Sequence, residues 1–217
     1  MTSDSPNNER TPGLTFIWWE TRPGEEAGTW WGQLAGSTHH LYVVVDQLEK
    51  LPSKRNLDLA LTELGYHIEN YFVRIYELRE RVVGYLIAAT NDVQTVRDIK
   101  SQRKRRNALT ALRTRVPKLI EPLEHLLELL DAEIRIRNTH THEQFLNIVL
   151  DTGQDIFDPQ DMLIDIQGNI DTRRKLERYF RKEIRRLTEI YAEKVRAIHK
   201  ATWDFLRAAD RSIQKSV

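Results

Sequence analysis

The 217-residue chain contains no cysteine. That absence removes disulfide scaffolds, thiol nucleophiles and thiolate zinc sites, and it suits a reducing compartment. Glycine (9) and proline (7) are scarce, which argues against a β-protein built from many tight turns. No stretch approaches the ~20 apolar residues of a membrane span. The polar opening MTSDSPNNERTP lacks the apolar core of a signal peptide. A cytoplasmic protein with no membrane partner is therefore expected. The sequence also lacks a GxGxxG or GxxxxGK phosphate loop, a Gly-x-Ser-x-Gly elbow and a His-Glu-x-x-His pair. Most enzyme templates fall away with them, and no cofactor and no metal are expected.

What is present is a charge-rich but foldable composition, 40% hydrophobic and 30% charged, so disorder is not the default. The length suits one main domain. Residues 1–13 read as a leader. Two aromatic runs, Leu14 to Trp19 and Thr29 to Leu34, flank Pro23-Gly24 and predict a small aromatic hairpin or loop segment. Residues 1–36 are accordingly set apart from a helical domain at 37–217. In that domain Ser37 or Thr38 caps a helix that Pro52 interrupts near Leu51. Leu57, Leu61, Leu64, Ile68, Tyr71, Ile75, Leu78, Val82, Tyr85 and Ala89 recur in steps of three and four, a long amphipathic helix ending at Asn91-Asp92. Pro117 opens another with Leu123, Leu127, Leu130 and Ile134 on its apolar face. Phe145–Leu150 is a shorter apolar segment, and residues 151–160 read as a loop. From Asp171 to about Ser212 neither proline nor glycine occurs and an apolar stripe persists. Such a helix must kink or project towards a partner. The fold class is all-α, an up-down helical bundle with a long C-terminal helix.

The net charge is only +1, but its distribution is uneven. Between Arg97 and Lys118 nine Lys/Arg face Asp98 alone, a local +8 that leaves −7 elsewhere. Such a field attracts anions. Arg103, Lys104, Arg105 and Arg106 are its centre and the candidate RNA contacts, although a solvated helix face has the same composition. Trp18, Trp19, Trp30 and Trp31 either stack bases or cover the end of the core, the second being the commoner use. In the last helix, Arg and Glu mix like and opposite pairs, as a solvated face does.

One stretch combines groups suited to phosphodiester chemistry: Arg137-Asn138-Thr139-His140-Thr141-His142-Glu143. Thr141 followed by Gln144 fits a capping box, placing His142 at a helix start where the positive dipole keeps its ring neutral. A neutral imidazole accepts a proton, and the Arg137 fork suits phosphate oxygens. A polar helix junction of the same composition is the plainer alternative. A metal reading of His140-x-His142 is weaker, because side chains two apart diverge on a helix.

Arg137, four residues and His142, with polar Asn138 after the arginine, resemble the signature of the HEPN superfamily, whose members are helical bundles and include many metal-independent RNases of toxin–antitoxin, CRISPR and anti-phage systems. The stretch from Glu69 to Arg81 is similar to helices of stand-alone bacterial members. The resemblance implies a homodimer in which Arg137 and His142 form a composite catalytic site, Asn138 orients one of them, and RNA is the substrate. An antitoxin or regulatory protein would be a further partner. It equally admits a non-catalytic module that binds RNA, a nucleotide or a protein. Glu143-Gln144 after His142 departs from the His-x-Tyr ending of one toxin branch.

Overall fold

The computed structural model describes residues 25–140 and 170–213, and all their long elements are helices. Six are present among the described residues: α1 (Glu25–Lys50), α2 (Leu57–Thr90), α3 (Val93–Asp98), α4 (Gln102–Arg113), α5 (Ile120–His140) and α6 (Ile170–Ile213). One-turn 3₁₀ segments at Leu51–Ser53 and Pro117–Leu119 lead away from α1 and into α5.

Over its described part, 25–36, the aromatic segment does not form the expected hairpin or loop; it is helix, and α1 runs through the boundary drawn after residue 36. The reason is register: Trp31, Leu34 and Ala35 continue the spacing of Leu41, Val44, Val45 and Leu48, and all are buried. Burial of that stripe overrides the local aromatic pattern and the unfavourable helical glycines Gly28, Gly32 and Gly36. Ser37 and Thr38 cap nothing; their hydroxyls donate back to Gln33 O (2.7 Å) and Ala35 O (2.8 Å) within the helix.

The boundaries of α2 follow its capping chemistry. Asn56 accepts from Leu59 N at 3.2 Å, and Asn91 ends the helix in the left-handed region (φ 53°), its N–H bonded to Ile87 O. Asp92 then caps α3 by accepting from Thr95 N at 3.0 Å. That bond, with the Thr95 hydroxyl and Arg115, holds the Asp92 carboxyl below its ordinary range.

Four helices make the bundle. Trp30 lies against Gly84 and Arg81 donates to Gln33 O, so α1 and α2 are antiparallel. Tyr76 meets Asn138 and Arg79 meets Asp131, so α2 and α5 are antiparallel. Thr188 donates to Leu48 O and Trp203 packs edge-on to Trp31, so α6 runs against α1. Helices α2 and α6 occupy diagonal corners and share the core through Tyr71–Tyr191 and Tyr85–Phe205 (centroids 4.8 and 5.6 Å). This is the up-down topology with a long last helix. At one end Arg181 of α6 donates to the carbonyls of Pro52 and Lys54 (2.9 and 2.8 Å), tying down the turn between α1 and α2. No described helix is long and apolar enough to cross a membrane.

Candidate functional site

The site is built where the last turns of α5 pass the middle of α2. Arg137 and Asn138 are consecutive, so their side chains leave the helix about 100° apart, and Tyr76 fills the angle between them. The Arg137 guanidinium lies 4.8 Å above the Tyr76 ring centre, and the Tyr76 hydroxyl donates to Asn138 Oδ1 at 3.1 Å. One tyrosine therefore positions both residues through its two chemically distinct parts, the electron-rich face and the polar tip.

Arg137 stands on the wall of an open groove of about 680 Å³ that has α2 as its floor. Trp30 and Gln33 of α1 form one side; Arg97 and Lys100 at α3 join Arg137 on the other. Val73, Glu77, Glu80 and Gly84 lie along the floor. Gly84 permits this close approach: a Cβ at this position would lie 2.6–2.8 Å from the six-membered part of the Trp30 indole, so the ring would have to shift. The bare backbone lets that ring rest against α2 and shape the groove wall.

The groove cations differ in how they are held. Arg81 donates to Gln33 O and Ser37 Oγ and sits 4.0 Å from Glu77. Lys100 pairs with Glu80. Arg97 is exposed, and its side chain has no ion pair or hydrogen bond among the described residues. His40 of α1 is close enough to Arg74 and Arg81 to feel their charge; partial burial, then those cations, lower its pKa, so its ring is neutral at neutral pH.

The basic cluster divides into exposed and inward-turned cations. Arg103 and Arg106 are exposed on α4 without partners among the described residues, and Lys104 pairs with Asp98 at 3.2 Å. Arg105 turns inward. Its Nε donates to Ile99 O at 2.8 Å, and its guanidinium meets the buried Asp131 carboxylate at 2.5 Å, off hydrogen-bond alignment. Arg79 reaches the other oxygen of Asp131 at 3.3 Å. Arg105 is thus half of the ionic clamp that fastens α4 to α2 and α5, leaving Arg103, Lys104 and Arg106 facing solvent.

Of the three residues proposed for catalysis, Arg137 and Asn138 come together, while His142 lies outside the described residues, as do the Thr141–Gln144 capping box, Trp18 and Trp19. Trp31 is buried in the core, and Trp30 is the tryptophan that borders the groove. Sequence reasoning missed Tyr76, Arg97 and Lys100 as neighbours of Arg137. The readable signal was Tyr76 itself, an aromatic residue one position off an otherwise regular apolar stripe.

No family model, no curated protein and no solved structure matches this chain.

Proposed function

We propose that this protein is a HEPN-type, metal-independent endoribonuclease, acting as a homodimer in the cytoplasm in a toxin or anti-phage role under an antitoxin or regulatory protein. The observation that supports this reading best is Arg137 set on Tyr76 at the wall of a groove carrying Arg81, Arg97 and Lys100. A guanidinium held over an aromatic face keeps its planar fork oriented for two phosphate oxygens.

In the reaction, the ribose 2′-oxygen attacks the adjacent phosphorus and the 5′-oxygen leaves, giving a 2′,3′-cyclic phosphate. His142 takes the 2′-OH proton or delivers one to the departing oxygen. Arg137 stabilises the charge that grows on the phosphoryl oxygens. Asn138 accepts from Tyr76 and so orients the pair. The free cations Arg97, Arg103 and Arg106 contact the RNA backbone, with Lys104 beside them.

The test is cleavage of a labelled single-stranded RNA in EDTA. Arg137→Ala and His142→Ala should each abolish it; undiminished cutting by either variant removes the assignment. One observation favours a second reading, a non-catalytic RNA-binding module: the exposed cations Arg97, Arg103 and Arg106, unpartnered among the described residues, account for binding a polyanion without any catalytic group. That reading predicts RNA binding without turnover and indifference to His142→Ala.

A further inference from the structure

The first half of α6 carries a second concentration of positive charge. From Arg174 to Arg186 there are seven Lys/Arg and only two carboxylates, Glu177 and Glu183. Folding uses part of this charge: Arg181 is drawn inward onto the carbonyls of the turn between α1 and α2, while Arg186 stays exposed although it pairs with Glu183 at 2.8 Å. What remains outside is aligned. Lys175, Tyr179, Lys182 and Arg186 follow one another in steps of four, three and four, a single strip of the helix surface, and Arg174, Arg178 and Arg185 form the strip beside it. All seven are exposed, and Tyr179 keeps 44% of its surface in solvent. Lys175, Lys182 and Arg185 have no side-chain partner among the described residues.

This arrangement works against the helix that bears it. Arg174 with Arg178, Arg178 with Lys182 and Lys182 with Arg186 are like charges at i,i+4, each destabilising an isolated helix. We infer that the exposed face of α6 over residues 174–186 is a docking surface for the backbone of single-stranded RNA, separate from the groove at Arg137. Charge complementarity favours a polyanion, and the surface lacks what other occupants need. A protein interface is centred on a cluster of aromatic or aliphatic anchors with few charges at its core, whereas here a single exposed tyrosine stands among six cations. A membrane-surface helix needs an apolar face free to enter the lipid, and that of α6 (Phe180, Ile184, Leu187, Tyr191) is buried in the core. A polynucleotide needs only a row of cations for its phosphates and a ring on which a base can stack. The row spans about 18 Å at 1.5 Å per residue, enough for several consecutive phosphates.

The experiment is fluorescence anisotropy of the full chain with a labelled oligouridylate, titrated at several salt concentrations. Replacing Lys175, Lys182 and Arg185 together by glutamine should raise Kd about tenfold at 0.1 M salt and reduce the log–log salt slope by about 2, at roughly 0.7 per lost single-strand contact. Tyr179→Ala should weaken binding several-fold and leave the slope unchanged, since stacking releases no counterions. Far-UV circular dichroism verifies folding. A 4-thiouridine crosslink on the unmodified chain, mapped to the 174–186 peptide, keeps the question answerable if the triple variant misfolds. Unchanged Kd and slope in a folded triple variant, or no crosslink in that peptide, overturns the inference. So does a triple substitution that abolishes binding to phosphatidylserine vesicles or polyglutamate while sparing RNA. Arg137→Ala should retain this contact, so failure of the nuclease assignment and failure of this surface are read separately.

Discussion

Removing the charge of Asp131 should damage the fold more than any single change in the exposed basic run. Its side chain is 10% exposed and lies between Arg79 (13%) and Arg105 (18%). In Asp131→Asn the volume stays but two guanidiniums lose their counter-charge where water barely reaches. Breaking one partner of a buried pair typically costs about 3–5 kcal/mol. Two features reduce that here: Arg79 still donates to Lys100 O and Arg105 to Ile99 O, and the contacts with Asp131 are imperfectly aligned. A loss of about 2–3 kcal/mol is therefore expected. With a urea slope of about 2 kcal/mol per M, the midpoint falls by about 1–1.5 M. Equilibrium urea unfolding followed by circular dichroism measures it, with Arg103→Met as the exposed control, expected within about 0.5 kcal/mol of the parent. Combining Asp131→Asn with Arg105→Met should recover much of the loss, because the second change removes one stranded charge. If Asp131→Asn moves the midpoint no more than Arg103→Met does, the clamp is not a buried ionic contact, and Arg105 returns to the pool of solvent-facing cations.

Three further outcomes follow from the packing. Tyr76→Phe keeps the ring beneath Arg137 and loses only the bond to Asn138, so it should cost about 1 kcal/mol or less; Tyr76→Ala removes both supports and, if the nuclease reading holds, should lower kcat/KM for RNA about ten- to a hundredfold. Gly84→Ala should not show the gain of about 1 kcal/mol that alanine brings to a helix, because its methyl collides with Trp30, yet the gain should appear in a Trp30→Ala background; urea midpoints of the four proteins decide. Burial lowers the pKa of His199, which is packed edge-on against Tyr42 and Trp203. The unfolded chain then binds the proton more readily, so this contribution is complete above about pH 6.5 and is lost as pH falls towards and through the depressed folded value. His199→Gln should flatten that part of a stability–pH profile measured by urea unfolding, and an unchanged acid limb would refute the assignment.

Periodicity made the fold legible where one face is apolar throughout. Helix α2 ends at Asn91 as its stripe and polar stop imply, and α6 extends from Ile170 to Ile213 around the predicted span. It failed at α1, because aromatic residues beside Pro23-Gly24 look like strand until their phase is set against Leu41 to Leu48, which settles the register of Trp31 and Leu34. The site was half legible. Arg137 and Asn138 announced themselves by residue type and adjacency, but Tyr76 is 62 residues from Asn138, and no local pattern encodes a pairing made by antiparallel helices. The fate of Arg105 was illegible for the same reason, since its partner Asp131 belongs to another helix.

Charge counts along the sequence therefore mislead in both directions, and the correction is structural. In the run from Arg97 to Lys118, which counts as the strongest basic feature, Arg105 is spent on Asp131, Lys100 on Glu80, Lys104 on Asp98 and Arg115 on Asp92. In α6 the carboxylates interspersed in the sequence suggest mutual neutralisation, yet Glu183 is mostly buried beside Arg186 and leaves Lys182 and Arg185 uncompensated. A ligand responds to cations whose partners are missing, not to those the fold has already used. Among the described residues, unpartnered cations form one group around Arg97, Arg103 and Arg106 at α3 and α4 and another along α6, at the opposite corner of the bundle from α2. Because they occupy different helices and share no side chain, neutralising one should leave the salt dependence contributed by the other intact.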